Sequence, residues 1–379
     1  MQDVEGRTQG RPTIAEVSLH ALRDNCRQAV ALVPAGVAVL AVVKADGYGH
    51  GAAPAARAFL DGGATGLGVS MVAEGSELRR AGIDAPVVVL GGAFPGEEAA
   101  AVAHDLAVAV WSIEGGRALA DAARAAGRPA AVHLKVNTGM TRLGCEVEDV
   151  RALGEALVGE LHLRIDGVFS HFASADAVET VSARKQIARF AAAVEELAAA
   201  GIRPPHVHLA NSAAVLAEPA ACFTMVRPGL MLYGYPPAPH LASRARLRPA
   251  MRLRTRIAQV RSVPAGTAVG YGGTWTAARG SRLATLPLGY ADGYLRAASN
   301  RGHMLVGGRR VPVAGRVCMD HVMLDVTDVP EPRAGDPVTV FGPSLGADAV
   351  AEWSDTIAYE VLTSVGKRVP RVYVEEFDA

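Results

Sequence analysis

The stretch that decides the fold is Val37-Ala38-Val39-Leu40-Ala41-Val42-Val43, which runs straight into Lys44-Ala45-Asp46-Gly47-Tyr48-Gly49-His50-Gly51. Seven consecutive apolar residues end on a lysine and a glycine-rich turn, and the alanine-rich helical pattern GAAPAARAFLDGG follows. A near-continuous apolar strand followed at once by a helix reads as one strand of a parallel sheet covered on both faces. The unit recurs. Further strands read at 66–70, 86–91, 107–111, 130–136, 165–170, 206–210 and 222–227, with helical patterns such as IEGGRALADAARAAG and SARKQIARFAAAVEELAAAG between them. Eight such units in succession favour a (β/α)8 TIM barrel over an open doubly wound sheet.

Beyond residue 236 the pattern breaks. Pro236, Pro237, Pro239 and Pro249 interrupt it, helical periodicity stops, and segments such as MRLRTRIAQVRSV, SRLATLPLGY and DPVTVFG follow, closely punctuated by Gly and Pro. The expected organisation is α/β: a barrel over 1–240, then a mostly β C-terminal domain over 241–379, with the first 20 or so residues placed to pair with the β domain. A chain of 379 residues, half of them hydrophobic, is long enough for two or three domains with a large core.

Composition excludes several classes. Lys+Arg and Asp+Glu both total 38, so the formal net charge is zero. Such a chain has no electrostatic reason to bind nucleic acid or an anionic membrane. No apolar run approaches the roughly 20 residues that span a bilayer. The start, MQDVEGRTQGRPT, lacks the apolar core of a signal peptide, and the expected location is the cytoplasm. Cys26, Cys145, Cys222 and Cys318 are scattered, which argues against a disulfide framework or a zinc site.

Chemistry in a barrel sits at the C-terminal ends of the strands. There the sequence places Lys44, Asn137 with Thr138, His171, Asn211 with Ser212, and Arg227 followed by Gly229. Any reaction that needs an amine has four candidates, Lys44, Lys135, Lys185 and Lys367. Lys44 ends an apolar strand, where desolvation lowers a lysine pKa and makes it a nucleophile or base; alone, it also reads as a lysine reaching out of a strand end into solvent. Ser212 and open backbone amides at Gly229 and Leu230 suit a phosphate. Gly47–Ala52 also satisfies GxGxxA, the dinucleotide fingerprint, but the acidic residue about 20 positions on, at the end of a second strand, is missing. His206 and His208 face the same way on one strand; with no third ligand in step, they and His133 read as core histidines rather than a metal site.

The motifs AVVKADGYGHG (41–51), HLKVNTGMTRLG (133–144), SHFASAD (170–176), NSA (211–213), VRPGLMLYG (226–234), VGYGGTWTA (269–277), LPLGYADGY (286–294), GRVCMDHVMLDVTD (315–328) and IAYEVLTSVGKRVPRVY (357–373) resemble the alanine racemases. They occur in family order and reach well into the second domain. The resemblance implies a pyridoxal 5′-phosphate enzyme that interconverts L- and D-alanine, supplies D-alanine for peptidoglycan, and works as a homodimer with shared active sites. By motif position, Lys44 bonds the cofactor and is one of two acid/base groups. Tyr271, brought by the partner subunit, is the other. Tyr48, Ser212, Gly229, Leu230 and Tyr359 fall where the family holds the phosphate, and Arg227 where it contacts the pyridine nitrogen. His171 falls beside the catalytic tyrosine. Arg142 and the Met319 amide fall where the substrate carboxylate is held, with Tyr290 and Asp320 as supporting residues.

Lys135 matches a lysine that is often carbamylated and then pairs with Arg142; an ordinary lysine paired with Asp or Glu is the alternative. Cys318 lacks a neighbouring base and reads as a packed thiol. Asn137 stands where many relatives have Asp, which drops a charge near the Lys135–Arg142 pair. The competing functions are a serine or broad-specificity racemase, a fold-related decarboxylase of basic amino acids, and a non-catalytic carrier of the cofactor.

Overall fold

A computed structural model of the chain describes residues 10–378. The chain divides into two compact units. One comprises Leu22–Gly47 and Ala52–Leu247; the other comprises the described residues up to Ala21, Tyr48–Gly51 and the described residues from Arg248 onward.

The chain enters through strand β1 (Ile14–Ser18) and a helix over Leu19–Leu32. Eight strands then build the larger unit: β2 (Ala38–Val42), β3 (Gly66–Val69), β4 (Val87–Val89), β5 (Ala107–Val110), β6 (Ala130–Asn137), β7 (Leu163–Phe169), β8 (His206–His208) and β9 (Met225–Val226). Neighbours run β5-β4-β3-β2-β9-β8-β7-β6, and β6 pairs back onto β5 to close the ring. Every one of these pairings is parallel. The closed barrel read from the eight apolar runs is therefore the fold of this unit.

The helices follow local sequence. Ile113–Ala126 starts where the Ser112 hydroxyl accepts the Gly115 amide at 3.1 Å and stops at Gly127, in the left-handed region at φ 65°. That pair of caps satisfies groups a helix leaves open at each end, and losing such a serine costs about 1 kcal/mol. Small alanines on the inner faces allow close approach to the strands: Ala55, Ala56 and Phe59 are fully buried on Ala52–Asp61.

The second unit is mostly strand. Its strands are β10 (Met251–Arg256), β11 (Gln259–Val263), β12 (Ala268–Val269), β13 (Trp275–Thr276), β14 (Ser281–Leu286), β15 (His303–Val306), β16 (Arg309–Pro312), β17 (Val322–Asp325), β18 (Pro337–Phe341) and β19 (Arg371–Val374). The largest sheet runs β16-β15-β18-β10-β1-β19, so the first strand lies between β10, antiparallel, and β19, parallel. β11-β14-β17 form a second sheet, and β12-β13 a short hairpin. Glu16 in β1 is buried and pairs with Arg252 (2.7 Å) and Arg254 (2.5 Å) of β10. That charge needs its partners, because a buried carboxylate left alone costs several kcal/mol.

Candidate active site

Four groups converge at the C-terminal rim of the barrel. Lys44 directly follows β2 and is half-buried. Burial, together with the cations Arg142 and Arg227, lowers its pKa, while Glu74 pulls it back up. The turn after Lys44 is unusual: Ala45, Asp46 and Gly47 all have φ between 53° and 60°. Left-handed backbone at two non-glycine residues is costly and persists only where surroundings impose it. They do so here. Glu74 accepts the Ala45 amide at 2.7 Å, Asp46 accepts the Ala52 amide at 2.8 Å, and Gly47 donates to the Val43 carbonyl at 2.9 Å. Glu74 carries no motif signal in the sequence, so its role emerges only from the structure.

The glycines of this turn serve packing rather than a dinucleotide. A Cβ on Gly49 would lie 2.3 Å from the Leu362 carbonyl, and one on Gly51 would lie 2.0 Å from the Tyr373 hydroxyl. Tyr48, on the same segment, is buried with its ring 5.9 Å from that of Tyr359, and burial pushes its pKa up.

Arg227, after β9, is the hub of the rim. It is buried. Its Nη1 donates to His208 Nδ1 at 2.9 Å, and its Nη2 donates to the Ser170 carbonyl at 2.7 Å, the Leu209 carbonyl at 3.2 Å and His171 Nδ1 at 3.3 Å. Burial pushes its pKa down to about 9, so at neutral pH it is still a cation and a pure donor. That fixes the imidazoles. Both Nδ1 atoms accept, so His171 and His208 each carry their proton on Nε2. Burial and the neighbouring cations hold both pKa values well below the ordinary histidine range, which keeps the rings neutral.

Lys135, on β6, is buried with its Nζ 4.3 Å from the centre of the Phe169 ring. Burial, Arg227, Arg142 and Lys44 push its pKa down to about 7. It lines one small pocket with Arg142, His171 and Ser170. Among the described residues no carboxylate pairs with Lys135, so the Asp/Glu-paired lysine of the sequence reading is absent.

A buried amide, Gln186, ties together segments next to this pocket. Its Nε2 donates to Thr138 Oγ1 (3.1 Å) and to the His171 carbonyl (3.0 Å), and its Oε1 accepts the Ala173 amide (2.9 Å). Thr138 and Ser170 hydroxyls meet at 2.7 Å. Sequence reasoning missed Gln186 because it sits inside a polar-looking helix, Val181–Ala199; its coincidence with the buried face of that helix was the only available signal.

At the phosphate-type corner, one expectation needs correction. The Gly229 amide is not open: it donates to Ser212 Oγ at 2.8 Å, and Met231 also points at that oxygen, at 3.4 Å. With its oxygen accepting, the Ser212 hydroxyl proton is left to donate outward. The Leu230 amide has no protein acceptor among the described residues. Asn211, placed at the rim by the sequence, caps the helix Ser212–Ala217: its Oδ1 accepts the Ala214 amide at 3.1 Å.

In the second unit, Tyr271 opens the turn Tyr271–Gly273 and is 69% exposed, and Met319 is 53% exposed. The motif holding Tyr290 clasps the one holding Met319: Tyr290 N donates to the Cys318 carbonyl at 3.0 Å and Ala291 N to the Met319 carbonyl at 3.1 Å. The Met319 amide itself has no protein acceptor among the described residues. Asp320 pairs with Arg368 at 2.8 Å, and Arg368 also grips buried Asp292 at 2.7 Å. Burial raises the Cys318 pKa, which leaves it a poor nucleophile.

A closed parallel barrel whose rim carries a half-buried amine beside an arginine–histidine hub has the architecture of the barrel enzymes. Comparison with known proteins is specific. The family model described as alanine racemase, N-terminal domain, matches residues 17–237, and that described as alanine racemase, C-terminal domain, matches 250–373. An alanine racemase of Geobacter sulfurreducens is 46% identical over 372 residues, covering 96% of this chain and 97% of the relative. One of Frankia casuarinae is 46% identical over 373 residues, covering 95% and 96%. The crystal structure of alanine racemase from D-cycloserine-producing Streptomyces lavendulae superposes with a TM-score of 0.91 at 39% identity, covering 97% of this chain and 98% of that one. The chain belongs to the alanine racemase family and is an amino-acid racemase.

Proposed function

We propose that the protein interconverts L- and D-alanine with pyridoxal 5′-phosphate, using Lys44 and Tyr271 of the partner subunit as two bases. The observation that carries this reading is the state of Lys44: a half-buried amine, held by an imposed left-handed turn, with its pKa lowered by burial and two arginines.

The residues present suit the cofactor. Ser212 has a hydroxyl proton to give and Leu230 an open amide, both apt for a phosphate; Gly229 contributes by setting the serine's orientation. Tyr48 and Tyr359 are assigned to the same phosphate by motif. Arg227 Nε–H has no protein acceptor among the described residues and suits the pyridine nitrogen. When bound, the cofactor supplies the electron withdrawal that makes the amino acid's α-proton removable. An arginine facing its ring nitrogen donates a hydrogen bond without surrendering a proton, which moderates that withdrawal.

Inverting a stereocentre requires taking a proton from one face and returning one to the other. Two fixed bases do this without moving. Lysine and tyrosine have reference pKa values near 10, so each serves as acid in one direction and base in the other once lowered. Burial and neighbouring cations lower Lys44. His171 serves the tyrosine: its Nε2–H has no acceptor among the described residues, and donation stabilises a phenolate. Arg142 and the open Met319 amide suit the substrate carboxylate, with Tyr290 and Asp320 steadying the Met319 segment.

Lys135 completes the carboxylate side as a carbamate. With a pKa of about 7, roughly half of its amines are neutral at neutral pH. The neutral nitrogen attacks carbon dioxide, an N–C bond forms, a proton leaves to solvent, and a cation facing Arg142 becomes an anion that clamps it. The homodimer, the cytoplasmic location and the supply of D-alanine to peptidoglycan belong to the same reading. No helix among the described residues is long and apolar enough to cross a membrane.

Lys44→Ala tests the assignment. It should abolish racemisation and the visible absorbance of a lysine-bound cofactor while leaving the fold intact by circular dichroism. Retention of that absorbance would remove Lys44 from the role.

A further inference from the structure

The opposite, N-terminal end of the barrel holds a cavity of about 350 Å³, lined by a residue from the first two positions of each of the eight strands. That volume falls within the range of small-molecule sites. One part of its wall is apolar: Leu40, Val88 and Met225 form a buried cluster with Ala38 and Ala107 packed against them.

The arginines and most of the carboxylates around it are already engaged. Arg164 gives Nε and Nη2 to the two oxygens of Asp166, at 2.5 and 2.6 Å. Arg79 donates to the carbonyls of Ile83, Ala85, His104 and Asp105. Asp105 pairs with Arg128 at 2.9 Å. An anion entering the cavity therefore finds the donors of both lining arginines already engaged, and burying a charge without hydrogen-bonded partners is costly.

Among the polar side chains of the lining one is buried, and its polarity can be derived; Asp84 in the same lining is exposed and His206 half-buried. His133 lines the cavity and is 2% exposed. Its Nδ1 lies 2.8 Å from His208 Nε2. Arg227 donates to His208 Nδ1, so the His208 proton is on Nε2 and goes to His133 Nδ1. Burial pushes the His133 pKa down to about 3, so the ring is neutral and its only proton is on Nε2. That N–H has no acceptor among the described residues. The donors run one way, Arg227 to His208 to His133, and chains of this kind polarise each other.

We propose that this cavity binds a small neutral molecule with an apolar body and one hydrogen-bond acceptor, which takes the Nε2–H of His133. The ligand thereby becomes the last member of a relay that begins at Arg227 on the opposite rim. This site stands whether or not the roles assigned to the rim residues hold.

Benzamide is the probe, with benzoate and benzylammonium as charged molecules of similar size, titrated into histidine-15N-labelled holoenzyme. Benzamide should bind saturably with a Kd of about 1 mM. It should shift the imidazole signals of His133 and, through the relay, His208. The charged probes should bind at least about tenfold more weakly. Ala107→Leu, which fills the cavity away from the rim, should remove the binding. The wild-type signals carry the test even if that variant fails to fold. Absence of saturable benzamide binding, binding that leaves the His133 signals in place, or benzoate or benzylammonium binding as tightly as benzamide would overturn the proposal.

Discussion

Lys135 shows how much a single side chain can carry. A lysine this deeply buried ordinarily either finds a carboxylate or loses its proton. No carboxylate among the described residues pairs with it, three cations face it, and its pKa falls to about 7. The same surroundings that make the ammonium unfavourable make an anionic carbamate favourable, since Arg142, Arg227 and Lys44 would all attract it. Equilibration with 13C-labelled carbon dioxide should give one slowly exchanging carbamate carbon signal, absent from Lys135→Ala. A spectrum without it would leave Lys135 as a neutral amine packed on Phe169. Lys44 and Arg227 were legible in the sequence because each ends an apolar strand, and Lys135 through the motif it shares with the alanine racemases. Glu74 and Gln186 were not: each sits on a helix among other polar residues, and only tertiary packing separates a buried glutamine from a solvated one.

At the scale of one element, the loop leaving β6 explains the amide at position 137. Asn137 Oδ1 accepts the amides of Gly139 (3.1 Å) and Thr141 (2.9 Å), and its Nδ2 donates to Glu146 Oε1 at 2.9 Å. Asn137 and Glu146 also face each other across a parallel bridge. The negative charge that Asn137 lacks is thus held next door by Glu146, which the sequence reading had no means of seeing. An aspartate at 137 would keep the turn but set two carboxylates against each other. Asn137→Asp should cost about 1–2 kcal/mol, seen as a lowered Tm. Because the loop presents Arg142, KM for alanine should rise more than kcat falls. Adding Glu146→Gln should recover most of both losses. An unchanged Tm and KM in Asn137→Asp would refute this account of the loop.

For the whole molecule, periodicity revealed the barrel because each strand–helix unit is local, and all eight strands lie where apolar runs placed them. Long-range pairing is a different matter. β1 sits between β10 and β19, partners more than two hundred residues away, and alternation within five residues cannot name them. Nor does apolar patterning show why Tyr271, Met319 and Ile357 leave so much surface exposed on the second unit, at 69%, 53% and 61%. In the proposed homodimer a partner subunit would cover them. Mixing inactive Lys44→Ala with inactive Tyr271→Phe should then restore roughly a quarter of wild-type activity, since half the dimers are mixed and each holds one intact site. No recovery, with subunit exchange confirmed, would contradict a shared site.

The central claim is stereochemical inversion of alanine by proton exchange at Cα. The most direct measurement incubates the purified holoenzyme with single L-amino acids in heavy water and resolves enantiomer and α-deuterium together. The account predicts D-alanine carrying α-deuterium, with little product from serine or lysine. Comparable rates on several amino acids, loss of carbon dioxide, or no exchange with cofactor bound would contradict it.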